Sequence, residues 1–379
     1  MDIKKEIYEC YLFYKIQNYF INKVYLTFGD KLFSLKKNFR RNIANNFSSW
    51  IMLNSSYNYN KNILLPDKIY FQNLKIFLTN YLKQNRYINK YDLIYLVDCF
   101  FDEIKLKEYI LNQKKLFLKP PDFNFKIKKN LQLNQIYFNI ETNYSFPKKF
   151  FYKINNIKIS HLLYYKIKNQ AINNIDLDNK IYLLLIKYNL LSSNNHQLAV
   201  NQEILTKLNN YYQVNYECFA SPFNNFFKNY NSLFSDIEKD FGSKGNFFDQ
   251  VFIEGVYLVN PPFENLIIEK TIHRLINFLN RSDFKQKNLT FFITLPVWDN
   301  IGKSILNEKS IVEYEEFNII NVIKSSPYLK YIKMINKNKF SYYDYNHQKK
   351  KNKTIQHTYL IVLTNTLFDT SYLDKISYF

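Results

Sequence analysis

The residues with the clearest chemical use are Asn260, Pro261, Pro262 and Phe263, which close the stretch FGSKGNFFDQVFIEGVYLVNPPF over residues 241–263. The exocyclic amine of adenine is a poor nucleophile because its lone pair is delocalised into the ring. The Asn260 side-chain carbonyl and the Pro261 main-chain carbonyl could each accept one amine N–H, drawing the nitrogen towards tetrahedral geometry and aiming its lone pair at an electrophilic methyl group. Proline fixes φ and carries no N–H, so two in succession stiffen the turn that presents these acceptors. Phe263 offers a flat face on which a purine can stack, worth about 1–3 kcal/mol per base. On four residues alone, the alternative is a proline-rich loop that merely ends a strand.

The elements that must position this tetrapeptide are written on either side of it. GVYLV before it is apolar and β-branched, as a buried strand is, and in ENLIIEKTIHRLINFLN after it Leu266, Ile267, Leu275, Ile276 and Leu279 have helical spacing. Strand, rigid turn and helix put Asn260 at the carboxyl end of a strand, where open α/β sheets bind ligands. Three of the chain's five glycines, Gly242, Gly245 and Gly255, fall in this stretch, which is expected where backbone passes close to something.

With 379 residues the chain can bury a full core and divide into two or more domains. Its 52 Lys and Arg against 32 Asp and Glu give a net charge of +20, which favours a polyanionic partner, with nucleic acid ahead of membrane. Asn, Lys, Ile, Tyr and Phe are abundant together, as in proteins encoded by AT-rich DNA, so 34 Tyr and 35 Phe do not by themselves argue for base stacking. Cys10, Cys99 and Cys218 lie far apart, so neither a disulfide framework nor a zinc-type CxxC is present and a reducing compartment fits. His161, His196, His273, His347 and His357 show no metal-ligand pairing, and no metal is expected. No signal-type leader or run of about 20 apolar residues is found, so the expectation is a soluble intracellular protein, nuclear if cellular and eukaryotic, cytoplasmic if viral.

In chain order, residues 2–27 predict an amphipathic helix, and a second follows Gly29-Asp30 to Ile51. The second carries Lys36, Lys37, Arg40 and Arg41, which are either a solvated basic face or a patch that grips RNA phosphates. Helices are expected from Pro66 to about Lys83 and from Asp92 to about Gln113, and Lys119-Pro120-Pro121-Asp122 stops the pattern. LQLNQIYFNIE and FFYKINNIKIS read as strands, HLLYYKIKNQAI as a helix, and residues 181–191 as a buried strand or helix that periodicity cannot decide. A helix from Asn201 to about Tyr212 leads to VNYECF, the first strand of the main sheet, turning at Ala220-Ser221-Pro222, with a helix N-terminus expected in NNFFKNYNSLF. LTFFITLPVW, KYIKMI and TYLIVLT complete the strands, and Gln348 to Lys353 form a Lys-rich patch. The expected division is a helical domain at 1–122, a small strand-rich segment at 123–180 and an α/β domain at 181–379.

ECFASPFN at 217–224 and FGSKGNFF…GVYLVNPPF at 241–263, in that order, resemble the cap-specific adenosine N6-methyltransferases, the family of the phosphorylated-CTD-interacting factor. ITLPVW is similar to that family's strand ending in Pro-x-Trp, and IKYNLL at 186–191 to its stretch upstream of the first motif. The resemblance implies an α/β, Rossmann-like class I methyltransferase domain behind a helical domain, S-adenosylmethionine as donor, and capped mRNA beginning with 2′-O-methylated adenosine as acceptor. It implies catalytic roles for Asn260, Pro261, Pro262 and Phe263, and donor binding by Phe219, Ala220, Ser221, Pro222 and Asn224, with Gly242 and Ser243 nearby. Trp298 would line the acceptor side. The family's vertebrate members carry a WW domain, and Trp50 and Trp298 are too few and too far apart for one, which leaves binding to the RNA polymerase II tail unsupported. Asp299 stands where a basic residue is expected after the Trp. Other readings of the same residues are a DNA or internal-RNA adenine methyltransferase, which must unstack its target base, and an inactive RNA-binding homologue.

Overall fold

A computed structural model describes residues 2–32, 39–55, 64–65, 74, 78, 103–172, 175–191, 197–281, 287–297, 319–345, 351–353, 357–373 and 376. They divide into two compact units, one of residues 1–168 and 173–194, the other of 169–172 and 195–379.

The first unit contains helices α1 (Ile3–Leu32), α2 (Phe39–Ser55) and α3 (Glu103–Leu118), an antiparallel three-stranded sheet of β1 (Phe125–Gln132), β2 (Gln135–Thr142) and β3 (Ile157–Ser160), and helices α4 (Lys148–Ile154), α5 (His161–Gln170) and α6 (Leu177–Leu190). Helix α1 runs through Gly29-Asp30, where a break was expected, because a single interior glycine costs only about 1 kcal/mol. FFYKINNIKIS is not one strand. Its first part is helix α4, with Phe150 and Ile154 buried, and only Ile157–Ser160 is extended. Residues 181–191, ambiguous in the sequence, are helical to Leu190, with almost every side chain buried.

The expected boundaries at 122 and 180 both lie inside this unit. The reason is aromatic packing: Tyr11 of α1 sets its ring 5.3 Å from Phe146, 6.2 Å from Tyr144 and 5.2 Å from Phe150. Lys187 of α6 reaches back to Glu6 at 2.7 Å and Glu9 at 3.6 Å. The segment after 122 therefore shares a core with the first helix. The helix predicted from Pro66 falls outside the described residues apart from Leu74 and Leu78, and α3 covers the end of the one predicted from Asp92.

The second unit is mixed α/β around a six-stranded, mostly parallel sheet, compatible with a Rossmann-like fold. Its strands are β5 (Tyr216–Glu217), β6 (Asn229–Tyr230), β7 (Gly255–Val259), β8 (Leu289–Pro296), β9 (Leu329–Ile335) and β12 (Thr358–Thr364), in the spatial order β6-β5-β7-β8-β12-β9. The first three pairings are parallel, and β12 runs antiparallel to both β8 and β9. A separate small sheet joins β4 (Leu198–Val200), β10 (Tyr342–Asp344) and β11 (Lys351–Lys353), with β10 in the middle. Helices α7 (Gln202–Tyr212), α8 (Ser235–Glu238), α9 (Asn265–Asn280) and α10 (Ile319–Lys324) complete it.

Strand alternation gives the main sheet two apolar faces. Phe291, Ile293, Leu295, Ile361 and Leu363 pack with α9 and α10, while Phe292, Leu360 and Val362 pack with α7, β4 and Tyr342 on the other side. The helix expected in NNFFKNYNSLF is absent. That stretch carries the edge strand Asn229–Tyr230, which pairs with β5 and leaves its backbone groups satisfied by a partner rather than by a helical turn.

Candidate functional site at the carboxyl ends of strands 5 and 7

The strand order makes β5 and β7 neighbours, although β6 follows β5 in the chain and lies on its far side. The connections thus leave in opposite directions at this pair. In an open α/β sheet a crevice forms outside the carboxyl ends of such strands. The residues that follow β5 are Cys218 to Asn224, and those that follow β7 are Asn260 to Phe263. Both stretches singled out in the sequence therefore stand side by side, joined by the Cys218 N–H donating to the Leu258 carbonyl at 2.8 Å.

Asn260 is almost fully buried, and both ends of its amide are held. Its Nδ2 donates to the Leu198 carbonyl at 3.0 Å, and its Oδ1 accepts from Thr294 Oγ1 at 2.8 Å. The two anchors come from different sheets, Leu198 from β4 and Thr294 from β8. Since Val259 is in register with Ile293, Thr294 lies directly beside Asn260. Among the described residues no backbone N–H donates to the Pro261 carbonyl, and the Pro262 carbonyl accepts from Glu264 N at 2.7 Å. Phe263 is buried with Leu258 and Phe292, its ring edge-on to Tyr342 at 5.5 Å and 84°. Burial pushes the Tyr342 phenol above its ordinary value, while hydrogen bonds with Thr358 and Thr294 pull it back.

Of the residues assigned to donor binding, Phe219, Ala220 and Gly242 are partly exposed, whereas Ser221, Pro222, Asn224 and Ser243 are buried. The buried ones shape the loop. Asn224 Oδ1 accepts from Ser221 N at 2.7 Å, and the Ser221 hydroxyl lies 3.0 Å from both Asn224 Oδ1 and Gln197 Oε1. Glu217, at the end of β5, accepts from the N–H groups of Phe226 and Phe227 at 2.7 and 2.9 Å, which draws the returning chain over the strand end. Ser243 shares a hydrogen bond with Ser232.

Gly242 and Gly245 have φ of +95° and +101°. A Cβ on Gly242 would come no nearer than 3.9 Å to another residue, and one on Gly245 would meet nothing within 4 Å. Left-handed backbone, rather than the close approach expected, is what calls for glycine within the chain here.

Beside the loop lies a shelf of Phe219, Phe247 and Phe248, with 4.4 Å between the first two rings. Asn231, fully buried at the end of β6, donates to Gln250 Oε1 at 3.3 Å, and among the described residues its own Oδ1 has no partner. Arg274 of α9 donates to the Gln250 carbonyl at 2.6 Å. Lys270 stands 5.1 Å from the Phe248 ring, and burial, then repulsion from Arg274, brings its ammonium down to about 7 against some help from Asp249. Burial raises the Asp249 carboxyl, with Arg274 and Lys270 opposing.

Sequence reading missed Gln197, Leu198, Thr294 and Tyr342. Thr294 looks like any β-branched strand residue until the register is known, and Leu198 acts through a carbonyl that no side chain advertises. Trp298 and Asp299 lie outside the described residues, as do Lys36 and Lys37. Arg40 and Arg41 are exposed on α2, Arg40 with its guanidinium 4.7 Å from the Tyr25 ring. No helix among the described residues is long and apolar enough to cross a membrane.

A mostly parallel sheet with two such loops at its switch point places the second unit in the α/β class. The sequence model of one family, described as Phosphorylated CTD interacting factor 1 WW domain, matches residues 158–345. The chain belongs to that family. The matched span contains both motifs. Because the description names a WW domain, the expectation that such a domain and a polymerase-tail partner are lacking finds no support in the match. A search of curated proteins finds no match.

Proposed function

We propose that this protein transfers a methyl group from S-adenosylmethionine to N6 of an adenosine, most specifically the 2′-O-methylated adenosine next to an mRNA cap. Family membership supports the substrate class, because at the level of the family it points to methylation of the cap-adjacent adenosine. The observation that carries the chemistry is the doubly anchored Asn260 amide at the carboxyl end of a central strand.

The Asn260 Oδ1 has two acceptor positions, of which Thr294 occupies one, so one remains for an amine N–H. The Pro261 carbonyl is the second acceptor, held at a fixed φ by its ring. Two acceptors on one amine disfavour its planar form and prepare its lone pair for attack, an effect that grows as charge develops on nitrogen. Because Phe263 is buried edge-on to Tyr342, it braces the turn beneath these acceptors.

The cradle next to Asn260 fits a donor with a purine and a ribose. Phe219 and Phe248 offer aromatic surface, the left-handed turns at Gly242 and Gly245 leave space beside the backbone, and Asn231 holds a buried acceptor that has no partner among the described residues. When bound, S-adenosylmethionine supplies the electrophilic methyl on its sulfonium. Phe219, Ala220 and Gly242 would line it, while Ser221, Pro222, Asn224 and Ser243 hold the loops in shape.

The test is to incubate the purified protein with labelled S-adenosylmethionine and a panel of m7G-capped RNA starting with 2′-O-methyladenosine, uncapped RNA, single-stranded DNA and duplex DNA. Label at N6 of the first adenosine in the capped RNA alone is expected. Equal labelling of uncapped RNA or DNA overturns the cap assignment, and no labelling of any acceptor overturns the methyltransferase reading.

A further inference from the structure

A line of buried hydroxyls runs along one side of the site and ends on Asn260. The Thr358 and Tyr342 hydroxyls lie 3.1 Å apart, Thr294 lies beside the Tyr342 phenol and with Thr358 opposes the upward push of burial on it, Thr294 donates to Asn260 Oδ1 at 2.8 Å, and Asn260 Nδ2 donates to the Leu198 carbonyl at 3.0 Å. Thr294 and Thr358 are fully buried and Tyr342 nearly so. The two sheets close this line on itself, because Leu198 and Tyr342 sit on the paired strands β4 and β10, while Thr294 and Thr358 sit on the paired strands β8 and β12.

The two contacts to Asn260 do different things. Leu198 decides which way round the amide lies, since a flipped amide would set Oδ1 against a carbonyl oxygen at 3.0 Å, acceptor facing acceptor. That contact does not stop the amide rocking about χ2, a torsion that is intrinsically broad for asparagine. A hydrogen bond on the opposite atom does stop it. Thr294 supplies that bond, and in doing so leaves Oδ1 a single acceptor position with one direction. Its own hydroxyl lies beside the Tyr342 phenol, whose ring also braces Phe263.

We infer that Thr294 is a positioning residue for the methyl-transfer step, acting through Asn260 and supported by Tyr342; this rests on the function proposed above. The chemistry it serves is the aiming of one acceptor at an amine N–H, so its loss should appear in turnover and not in the binding of either substrate. A role in packing alone would depend on the shape of residue 294 and not on its hydroxyl.

Three variants separate these. Thr294→Val keeps the shape and removes the hydroxyl, Thr294→Ser keeps the hydroxyl and removes a methyl, and Tyr342→Phe keeps the ring against Phe263 while removing the phenol oxygen. The expected result for Thr294→Val is a fall in kcat of about tenfold, the effect of one neutral hydrogen bond. KM for capped RNA and Kd for S-adenosylmethionine, the latter by calorimetry, should stay within about twofold. Thr294→Ser is expected to restore kcat to within about twofold of wild type, and Tyr342→Phe to lower it by about two- to threefold through the loss of one member of the line. A Thr294→Val enzyme as fast as wild type, or a Thr294→Ser enzyme as slow as Thr294→Val, overturns the inference. Should Thr294→Val not fold, Tyr342→Phe decides, an unchanged kcat again overturning it. A wild-type protein that methylates no adenosine overturns the proposed function instead, so the two failures are distinct.

Discussion

The two units bury polar groups in different ways. In the first, among the described residues, Lys187 is 3% exposed and held by Glu6 and Glu9, and aromatic rings such as Tyr8, Tyr11, Phe146 and Phe150 pack against one another. In the second, most of the buried polar groups are uncharged, and many cluster at strand ends: Ser221, Asn224, Asn225, Asn231, Ser232, Ser243 and Asn260. A buried ion pair is costly to make and costly to break, and it holds helices together without presenting anything to a ligand. Buried amides and hydroxyls shape loops and leave particular lone pairs for a substrate. The comparison sets an ion pair that ties helices together in the one unit against hydrogen-bonded loops at strand ends in the other.

The strongest way to break that comparison is Asn260→Ala. It is expected to slow methyl transfer by about 10²–10³-fold, or about 3–4 kcal/mol, while S-adenosylmethionine affinity measured by calorimetry changes little. A variant that keeps a tenth of the wild-type rate in single-turnover assays would mean that the amide is only a loop anchor. The counterpart in the first unit is Lys187→Met, which takes the cation away from the buried Glu9 and the partly buried Glu6. It should cost about 3–5 kcal/mol in denaturant unfolding, with kcat of the folded fraction unchanged. A fall in kcat without a fall in stability would reverse the assignment of roles.

A smaller effect is expected from changing Lys36, Lys37, Arg40 and Arg41 together to Gln. For every phosphate that these side chains no longer neutralise, the salt slope of RNA binding should fall by about 0.7, with donor affinity left alone. An unchanged slope in filter-binding titrations from low to moderate salt would show that the cluster is a solvated face. In that case the Lys-rich stretch at 349–353 becomes the next place to look.

The smallest expected effect concerns Lys270. Its folded value of about 7 lies below the ordinary 10.5, so between those limits the unfolded chain holds a proton that the folded one lacks, and this group's contribution to stability rises with pH. Lys270→Met removes that dependence. Its melting temperature should exceed wild type by about 2 °C at pH 7 and below, with the gain vanishing towards pH 10. A gain that is constant across this range would assign it to packing.

Much of this was decided within short stretches of the chain. The strand GVYLV, the stiff Asn260-Pro261-Pro262-Phe263 turn and the helix after it are local matters, because alternation, proline geometry and helical spacing act over a few residues. The resemblance carried by residues 217–224 and 241–263 likewise needed only order and spacing. Other features could not be read that way. Whether residues 181–191 were strand or helix depended on what buries them, because a run apolar on every side satisfies both periods. Phe263 reads as a stacking surface in isolation and is enclosed by Tyr342, which lies 79 positions away in the chain. Above all, the state of the Asn260 amide was settled by the pairing of β7 with β8 and of β4 with β10. A lone pair's direction is set by the atoms that touch it, and here those atoms come from Leu198 and Thr294, neighbours that only the tertiary structure provides.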